Sequence, residues 1–146
     1  MFYQRYKSAP MSAIVRKSGG LLLGRTIEVE VDFGCELLDE RGLLLPDHEL
    51  AVIDERMCSM FDGKLMIDNQ DPHADELMKL KRIKAADPVL FDHGTSGPQL
   101  AFYVGRWVED YIKSARFNPP EDDPAHVKVI LCTVRVGKSE FFYDLA

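Results

Sequence analysis

The sequence predicts an α+β protein in which an antiparallel sheet of four strands, built from two hairpins, is covered on one face by helices. The first observation behind this prediction is the stretch 25–33, where apolar and polar residues alternate. The second is a central region whose apolar residues recur every three or four positions, as on one face of a helix. The third is a strand-turn-strand pattern between residues 127 and 143. No repeat or low-complexity segment occurs, so we expect a single domain over residues 1–146.

The first hairpin is predicted within residues 1–33. Residues 1–17 predict a strand that breaks near Pro10, and Ser18-Gly19-Gly20 is a turn signal. The strand that follows runs from residue 21 to residue 33. Because successive strand side chains point to opposite faces, its alternation predicts one dry face and one wet face. The dry face consists of Ile27, Val29, Val31 and Phe33, and the wet face of Thr26, Glu28, Glu30 and Asp32.

Helical segments fill the middle of the chain. Pro46-Asp47 predicts the start of the first helix, with Asp47 as its capping residue. A shorter helix is predicted after Pro72, and a short strand at residues 89–91. The longest helix should begin at residues 95–98, Thr-Ser-Gly-Pro, because proline suits the first helical turn. The apolar residues expected to face inward are Leu50, Ile53, Met57 and Met60 in the first helix, Ala74, Leu77, Met78 and Leu80 in the second, and Leu100, Tyr103, Val104, Trp107, Val108 and Tyr111 in the third.

The second hairpin is predicted after the acidic, proline-containing loop 118–124. A long strand over residues 127–136 leads into a turn at Gly137-Lys138, and a second strand follows around residues 141–143. The predicted order is therefore two strands, three helices with one short strand between them, and two further strands.

Composition excludes several classes of protein. The net charge of −6 disfavours nonspecific binding to nucleic acid or to an anionic membrane. No apolar run approaches the roughly 20 residues that a membrane-spanning helix needs, and the first residues lack the apolar core of a signal peptide. The 3 cysteines are widely spaced and form no CxxC pair, so neither a disulfide framework nor a zinc knuckle is indicated. We expect a cytoplasmic protein.

Several short segments follow one another in the order and spacing of a known family. They are Ser12-Ala13 and residues 23–31, 42–47, 61–72, 95–101 and 134–139. In that order they resemble the Ser-Ala-Ala-His, His-Gly-His, Gly-Met-Val-x-Asp-Phe, Leu-Asp-His-x-x-Leu-Asn, Pro-Thr-x-Glu-Asn-x-Ala and Val-x-Val-x-Glu-Thr motifs of the 6-pyruvoyl-tetrahydropterin synthase and 6-carboxytetrahydropterin synthase family. The resemblance implies the tunnelling fold, in which two hairpins enclose two helices and subunits assemble into multi-stranded barrels. It therefore implies a homo-oligomer.

The departures from this family concern its chemistry. The resemblance places the three zinc-binding histidines at Val15, Leu23 and Arg25, and the catalytic cysteine near Gly19. Two of the three zinc positions are apolar, and a guanidinium stays protonated, so none can replace an imidazole ligand. No histidine occurs before His48, so a register error of one residue would not restore the metal site. We expect a divergent member that lacks the zinc and catalytic motifs and carries no metal and no cofactor.

Three residues are the candidates for a ligand site. The resemblance places Arg25 and Lys138 near the inherited pocket, with Lys138 where the family has the carboxylate that anchors the pterin ring. Two cations there would favour a small anionic pterin- or purine-like ligand. Asp62 retains the acid of the family's Asp-His pair, and Gly63 replaces the base. The alternative is that Arg25 and Lys138 are ordinary surface groups and that Asp62 belongs to a turn.

The remaining reactive side chains give no pattern. The histidines His48, His73, His93 and His126 are scattered, and an Asp92–His93 acid–base pair is the one combination that neighbouring residues suggest. The cysteines Cys58 and Cys132 are expected to be small packing residues, and Cys35 follows the opening strand.

These observations leave three functions open. The favoured one is a ligand-binding or scaffold subunit without the family's zinc-dependent activity. The first alternative is a metal-independent enzyme of pterin or deazapurine metabolism that uses the same intersubunit pocket. The second is a structural partner of an active paralogue in a mixed barrel.

Overall fold

The computed structural model describes residues 1–16, 20–92 and 94–146. The predicted turn at Ser18-Gly19 and the Asp92–His93 pair therefore lie wholly or partly outside the described residues. Seven strands and three α-helices make up these parts of the chain. In order they are β1 (Phe2–Lys7), β2 (Met11–Arg16), β3 (Leu22–Cys35), α1 (Asp47–Phe61), β4 (Leu65–Asp68), α2 (Ala74–Met78), which continues into a 3-10 turn (Lys79–Lys81), β5 (Pro88–Phe91), α3 (Gly97–Lys113), β6 (Lys128–Val136) and β7 (Ser139–Asp144).

Strand β3 is the centre of the sheet. On one side its first half pairs with β2 and its second half with β1, and on the other side it pairs with β6, all antiparallel. The predicted dry face is confirmed, since Ile27, Val29, Val31 and Phe33 are all 0% exposed. The predicted wet face is wrong at Glu30, which is buried beneath neighbouring cations. The predicted break near Pro10 is also confirmed, because β1 ends at Lys7 and β2 begins at Met11.

The prediction of a four-stranded antiparallel sheet is wrong, although the α+β class is confirmed. The described strands form one sheet in the order β5-β4-β2-β3-β6-β7, with β1 also paired to β3. Strands β4 and β5 run parallel to β2. Residues 65–67 were not predicted as a strand because they form an unbroken apolar run without alternation, as is typical of a strand buried on both faces.

The helices were predicted to cover one face of the sheet, and this prediction fails at the end formed by β4 and β5. Met66 belongs to the main core, while Leu65 and Ile67, which alternate with it, are buried outside that core. Helix α2 lies against β4 and β5, so β4 is covered on both faces rather than on one, whereas Leu90 of β5 stays exposed. Helix α2 itself is shallow: the residues expected to face inward, including Leu77 and Met78, are only half-buried.

Helix α1 begins as predicted, but not by the predicted contact. Its N-cap is Pro46, which has no side chain to accept a hydrogen bond, and Asp47 is already the first helical residue. Asp47 and Glu49 instead place negative charge in the first turn, where the helix dipole favours it. Helix α3 begins as the sequence predicts, with Ser96 and Gln99 forming a capping box and Pro98 in the first turn.

The main core lies between β3, β6 and the two long helices. Helix α1 contributes Ile53, Met57 and Phe61, and helix α3 contributes Leu100, Val104, Val108 and Ile112. Gly105 of α3 allows a close approach to the sheet, since a Cβ there would lie 2.7 Å from the Tyr143 ring and 3.3 Å from the Cys132 Cβ.

Polar contacts tie the two long helices to each other and to the sheet. The Tyr111 hydroxyl donates a short hydrogen bond to Glu49, and the Arg56 guanidinium lies 5.6 Å from the centre of the Trp107 ring. The Tyr6 hydroxyl donates to Asp54 Oδ1 over 2.6 Å, which links β1 to α1. Among the described residues, no helix is long and apolar enough to cross a bilayer.

Candidate functional site

A surface cavity of about 460 Å³ lies where the end of α1 meets the β2–β3 hairpin. Residues 12–14 of β2 form one wall, residues 24–26 of β3 form the other, and Gly63 closes the end. Nothing lies within 4 Å of the positions that a Cβ would take at Gly24 or Gly63. The cavity is therefore open above bare backbone, which lets a ligand approach closely.

Of the three candidates for a ligand site, Arg25 is the one that lines this cavity. It lies opposite Ala13 in the β2–β3 register, and its side chain is exposed. Its Nη1 donates to the carbonyl of Gly24 over 3.1 Å. Within the described parts of the chain, no carboxylate forms an ion pair with Arg25.

Asp62 has a structural role beside the cavity. It follows the last residue of α1, and its Oδ1 accepts a hydrogen bond from the Ser12 amide over 3.2 Å. The Gly63 amide donates to the Ser12 carbonyl over 2.7 Å. Gly63 has a φ of 71°, which favours glycine. Asp62-Gly63 therefore fastens the end of α1 to β2, and its carboxylate remains exposed without lining the cavity itself.

Lys138 lies in the β6–β7 turn, which is placed near Arg25 at the same corner of the sheet. The Gly137 amide donates to the Thr26 carbonyl over 2.9 Å, and a Cβ at Gly137 would lie 4.0 Å from Arg25 Cδ. The residue before Lys138 thus lies close to the Arg25 side chain. Lys138 is exposed, does not line the cavity, and has no ion-pair partner in residues 1–16, 20–92 and 94–146.

The three candidates therefore lie at one corner of the sheet, although they come from distant parts of the sequence. Arg25 and Lys138 have no ion-pair partner in the part of the chain that the structure describes. Arg135, by contrast, has two: its Nη1 lies 2.7 Å from a Glu30 oxygen and its Nε lies 2.7 Å from a Glu140 oxygen. A small anion at this corner would gain charge-assisted hydrogen bonds without displacing a protein carboxylate.

The described residues contain no group of three or more His, Cys, Asp or Glu side chains placed to hold a metal ion. His48 and His73 are exposed, and each lies near one glutamate. The prediction that the protein carries no zinc stays a prediction, since it concerns the purified protein.

The cysteines do not form an activated site. Burial raises the pKa of the Cys132 thiol to about 12, and burial also raises the pKa of Cys35. Cys132 is a packing residue, as predicted. The prediction of a packing role is wrong for Cys58, which is exposed on α1. The part of its thiol that is desolvated and the nearby charge of Asp54 raise the pKa of Cys58. A raised pKa lowers the thiolate fraction, so these thiols are weak nucleophiles at neutral pH.

Two arrangements were missed by the sequence interpretation. One is the ion-pair network around the buried Glu30, whose carboxylate lies 2.7 Å from Arg135, 3.5 Å from Arg5 and 3.8 Å from Lys7. The only sequence signal of this network was that oppositely charged residues occupy the predicted polar faces of neighbouring strands. The other is a second cavity beside His126, which no local pattern indicated because residues far apart in the sequence line it.

Comparison with known proteins shows the fold. No model of a known family matches the sequence, and no curated protein matches it. Among solved structures, the chain is similar to an uncharacterized protein from Wolinella succinogenes, with a TM-score of 0.72, 14% identity and coverage of 99% of this chain and 97% of that one. It is also similar to 6-pyruvoyl tetrahydropterin synthase from Plasmodium vivax, with a TM-score of 0.58, 10% identity and coverage of 99% and 100%.

The chain has a 6-pyruvoyl tetrahydropterin synthase-like fold. The enzyme of the same name from Plasmodium falciparum supports this, with a TM-score of 0.58, 9% identity and coverage of 97% of this chain and 96% of that one. At these identities the likeness concerns the path of the backbone and not the chemistry of the site.

Proposed function

We propose that this protein binds a small anionic ligand of pterin or purine type at the corner formed by Arg25, Lys138 and Asp62, without zinc-dependent catalysis. The observation that carries the proposal is that Arg25 lines a cavity of about 460 Å³ and has no carboxylate partner among the described residues. A cavity of this size is typical of small-molecule sites. The 6-pyruvoyl tetrahydropterin synthase-like fold supports the pterin or purine class.

The positive charges of Arg25 and Lys138 are the reason for proposing an anionic ligand. Each hydrogen bond from a charged donor to a phosphate or carboxylate contributes about 1.5–3 kcal/mol. Because Arg25 and Lys138 are exposed, salt should screen the interaction and weaken binding. The residues present offer no replacement for three zinc-binding histidines, which supports the absence of the zinc reaction.

We further propose that the protein is a cytoplasmic homo-oligomer in which a neighbouring copy completes the site. The outer edges of β1, β5 and β7 have no strand partner among the described residues. Unpaired edges of this kind favour pairing with a further strand, and a closed ring would remove them.

A thermal-shift panel of phosphorylated and carboxylated pterins and purines tests the binding proposal. A ligand at 100 times its Kd should stabilise the protein by about 2.7 kcal/mol. The double variant Arg25→Ala/Lys138→Ala should abolish the shift and keep the oligomer. The matched control is Lys79→Ala/Arg82→Ala, which removes the same charge from two exposed residues of another region. A flat panel, or equal shifts in both double variants, would contradict binding at this corner and leave a scaffold subunit or a structural partner of an active paralogue.

The metal-independent enzyme is the second candidate function. It is favoured by Asp62, whose Oδ1 is held by the Ser12 amide and whose Oδ2 has no hydrogen bond within the described residues. Asp62→Asn retains an oxygen for the Ser12 amide and removes the charge. If the protein is an enzyme, this variant should bind the ligand identified in the panel and lose turnover. If it is a binder, no turnover should occur in either form.

A further inference from the structure

A second cavity of about 500 Å³ lies at the other end of the sheet. It is bounded by the start of β1, the last turn of α3, the loop before β6, the start of β6 and the residues that follow β7. Its apolar lining includes Ile112, Val129, Ile130 and Leu145. Strand β6 runs the nine residues from Lys128, at this cavity, to Val136, which pairs with Ile27 of β3. At about 3.3 Å per residue, the two cavities lie roughly 25 Å apart, so this one does not belong to the Arg25 corner.

His126 supplies a polar group to this apolar cavity. The residue lines the cavity and is only 8% exposed. Its Nδ1 lies 2.7 Å from the Pro119 carbonyl oxygen. A carbonyl can only accept, so Nδ1 carries the hydrogen, and the neutral ring leaves Nε2 as an acceptor. Nε2 has no hydrogen-bond partner among the residues that the structure describes.

The loop that carries His126 is held in place by its own hydrogen bonds. Asn118 Nδ2 donates to the carbonyls of Ile112 and Val127, and its Oδ1 accepts from the Val127 amide over 2.8 Å. The His126 amide donates to the Asp123 carbonyl over 2.9 Å. The position of the imidazole is therefore determined before any ligand arrives, which lowers the entropic cost of binding.

The charges at the mouth of the cavity do not select an ion. The charged side chains that line it are Glu109, Lys113, Glu121 and Lys128, and their formal charges sum to zero. Lys113 pairs with Glu121 over 3.5 Å, and Glu109 pairs with Arg106 over 3.1 Å. Lys128 is exposed and has no ion-pair partner among the described residues, so its ammonium stays hydrated at the mouth. The apolar interior fits a neutral ligand better than an ion, which would lose its hydration there.

We propose that this cavity binds a small, neutral, mainly aromatic or apolar molecule that donates one N–H or O–H to His126 Nε2. Its volume lies in the range typical of small-molecule sites, and its apolar lining with one fixed polar group matches their usual composition. The site is separate from the proposed anion site and does not depend on it.

A matched pair of probes tests the hydrogen bond. Indole has an N–H donor, and N-methylindole has the same aromatic body without one. Titration followed by heteronuclear NMR should show saturable shifts at Val127 and Leu145, with indole binding about 2- to 12-fold more tightly, the ratio that one neutral hydrogen bond provides. His126→Asn keeps a donor for the Pro119 carbonyl and removes the distal nitrogen, so the preference for indole should disappear.

Two further variants keep the test decisive. His126→Gln places a polar group at the distal position and should retain a preference for indole. His73→Asn changes an exposed histidine elsewhere and should leave both affinities unchanged. The proposal is overturned if neither probe gives saturable shifts at this cavity, if the two bind equally to the wild type, or if His126→Asn retains the preference.

Discussion

The two ion pairs of Arg135 have equal distances but different burial, so they allow the effect of burial on the strength of an ion pair to be tested. Arg135 Nη1 lies 2.7 Å from Glu30 Oε1, and its Nε lies 2.7 Å from Glu140 Oε1. The distances are equal, but the Glu30 side chain is 8% exposed and that of Glu140 is 45% exposed. If desolvation determines the strength of an ion pair, the Glu30 pair should be much the stronger.

Two double-mutant cycles measure this difference. The variants are Glu30→Gln, Glu140→Gln and Arg135→Met, singly and in pairs. We expect a coupling free energy of about 1.5–3 kcal/mol for Glu30–Arg135, as for hydrogen bonds to charged groups. For the exposed Glu140–Arg135 pair we expect about 0.2–1 kcal/mol. Arg135→Met alone should destabilise the fold by less than the roughly 3–5 kcal/mol that removal of one partner from a buried ion pair costs, because Arg5 and Lys7 remain near Glu30.

The assay is urea denaturation at pH 7 and at a single protein concentration, since association would add to the apparent stability. The pH dependence gives a second check. The hydrogen bond from Arg135, opposed by partial burial, lowers the pKa of Glu30 from its ordinary value of 4.5. A lowered folded-state pKa means that the stabilisation is present above about pH 4.5 and is lost as pH falls through the folded value. Equal couplings for the two pairs, or a Glu30 coupling that does not weaken as pH falls below about 4.5, would refute the reasoning.

Four further predictions concern the helices and the assembled protein. Ser96→Ala removes the cap of α3 and should cost about 1 kcal/mol in thermal unfolding, whereas Ser114→Ala at the other end should cost less than about 0.5 kcal/mol. Burial and the hydrogen bond to Glu49 raise the pKa of Tyr111 to about 12, so the Tyr111→Phe variant should lose one late-ionising phenol in an absorbance titration, while Tyr6, whose pKa burial also raises, still ionises late. The stability from the Tyr111–Glu49 contact should fall as pH rises from about 10 towards 12. Elemental analysis should find no stoichiometric zinc, and about one tightly bound zinc per chain would contradict the reading of Val15, Leu23 and Arg25. Light scattering should show an oligomer at micromolar concentration, and a monomer would contradict the proposed closure of the sheet edges.

The elements that the sequence predicted correctly are those with a regular period. Strand β3 alternates and has one dry face, and α3 has both an apolar stripe and a capping box, so local pattern and tertiary burial agree. Strand β4 has no period because it is buried on both faces, and its parallel pairing depends on a distant strand. Cys58 was misplaced because it follows the buried Met57 by one residue and so faces another side of the helix.

The candidate site was predictable only in part. The resemblance named Arg25, Asp62 and Lys138, and the structure brings them to one corner through backbone hydrogen bonds at Ser12 and Thr26. Those contacts join segments far apart in sequence, so no local pattern reports them. The cavity beside His126 was not predicted because a scattered histidine gives no signal until the loop around it is folded.

The central position of β3 also has a consequence in time. During synthesis, β3 can pair with β1 and β2 as soon as it is made, but its other edge waits for β6. Those two strands are separated by roughly 100 residues of chain, which a ribosome adds in about 5–20 s. For that interval the longest of the described strands has an open edge, the kind of surface that aggregates or engages chaperones. The nascent chain is therefore most vulnerable midway through its synthesis, and adding the C-terminal hairpin ends that period.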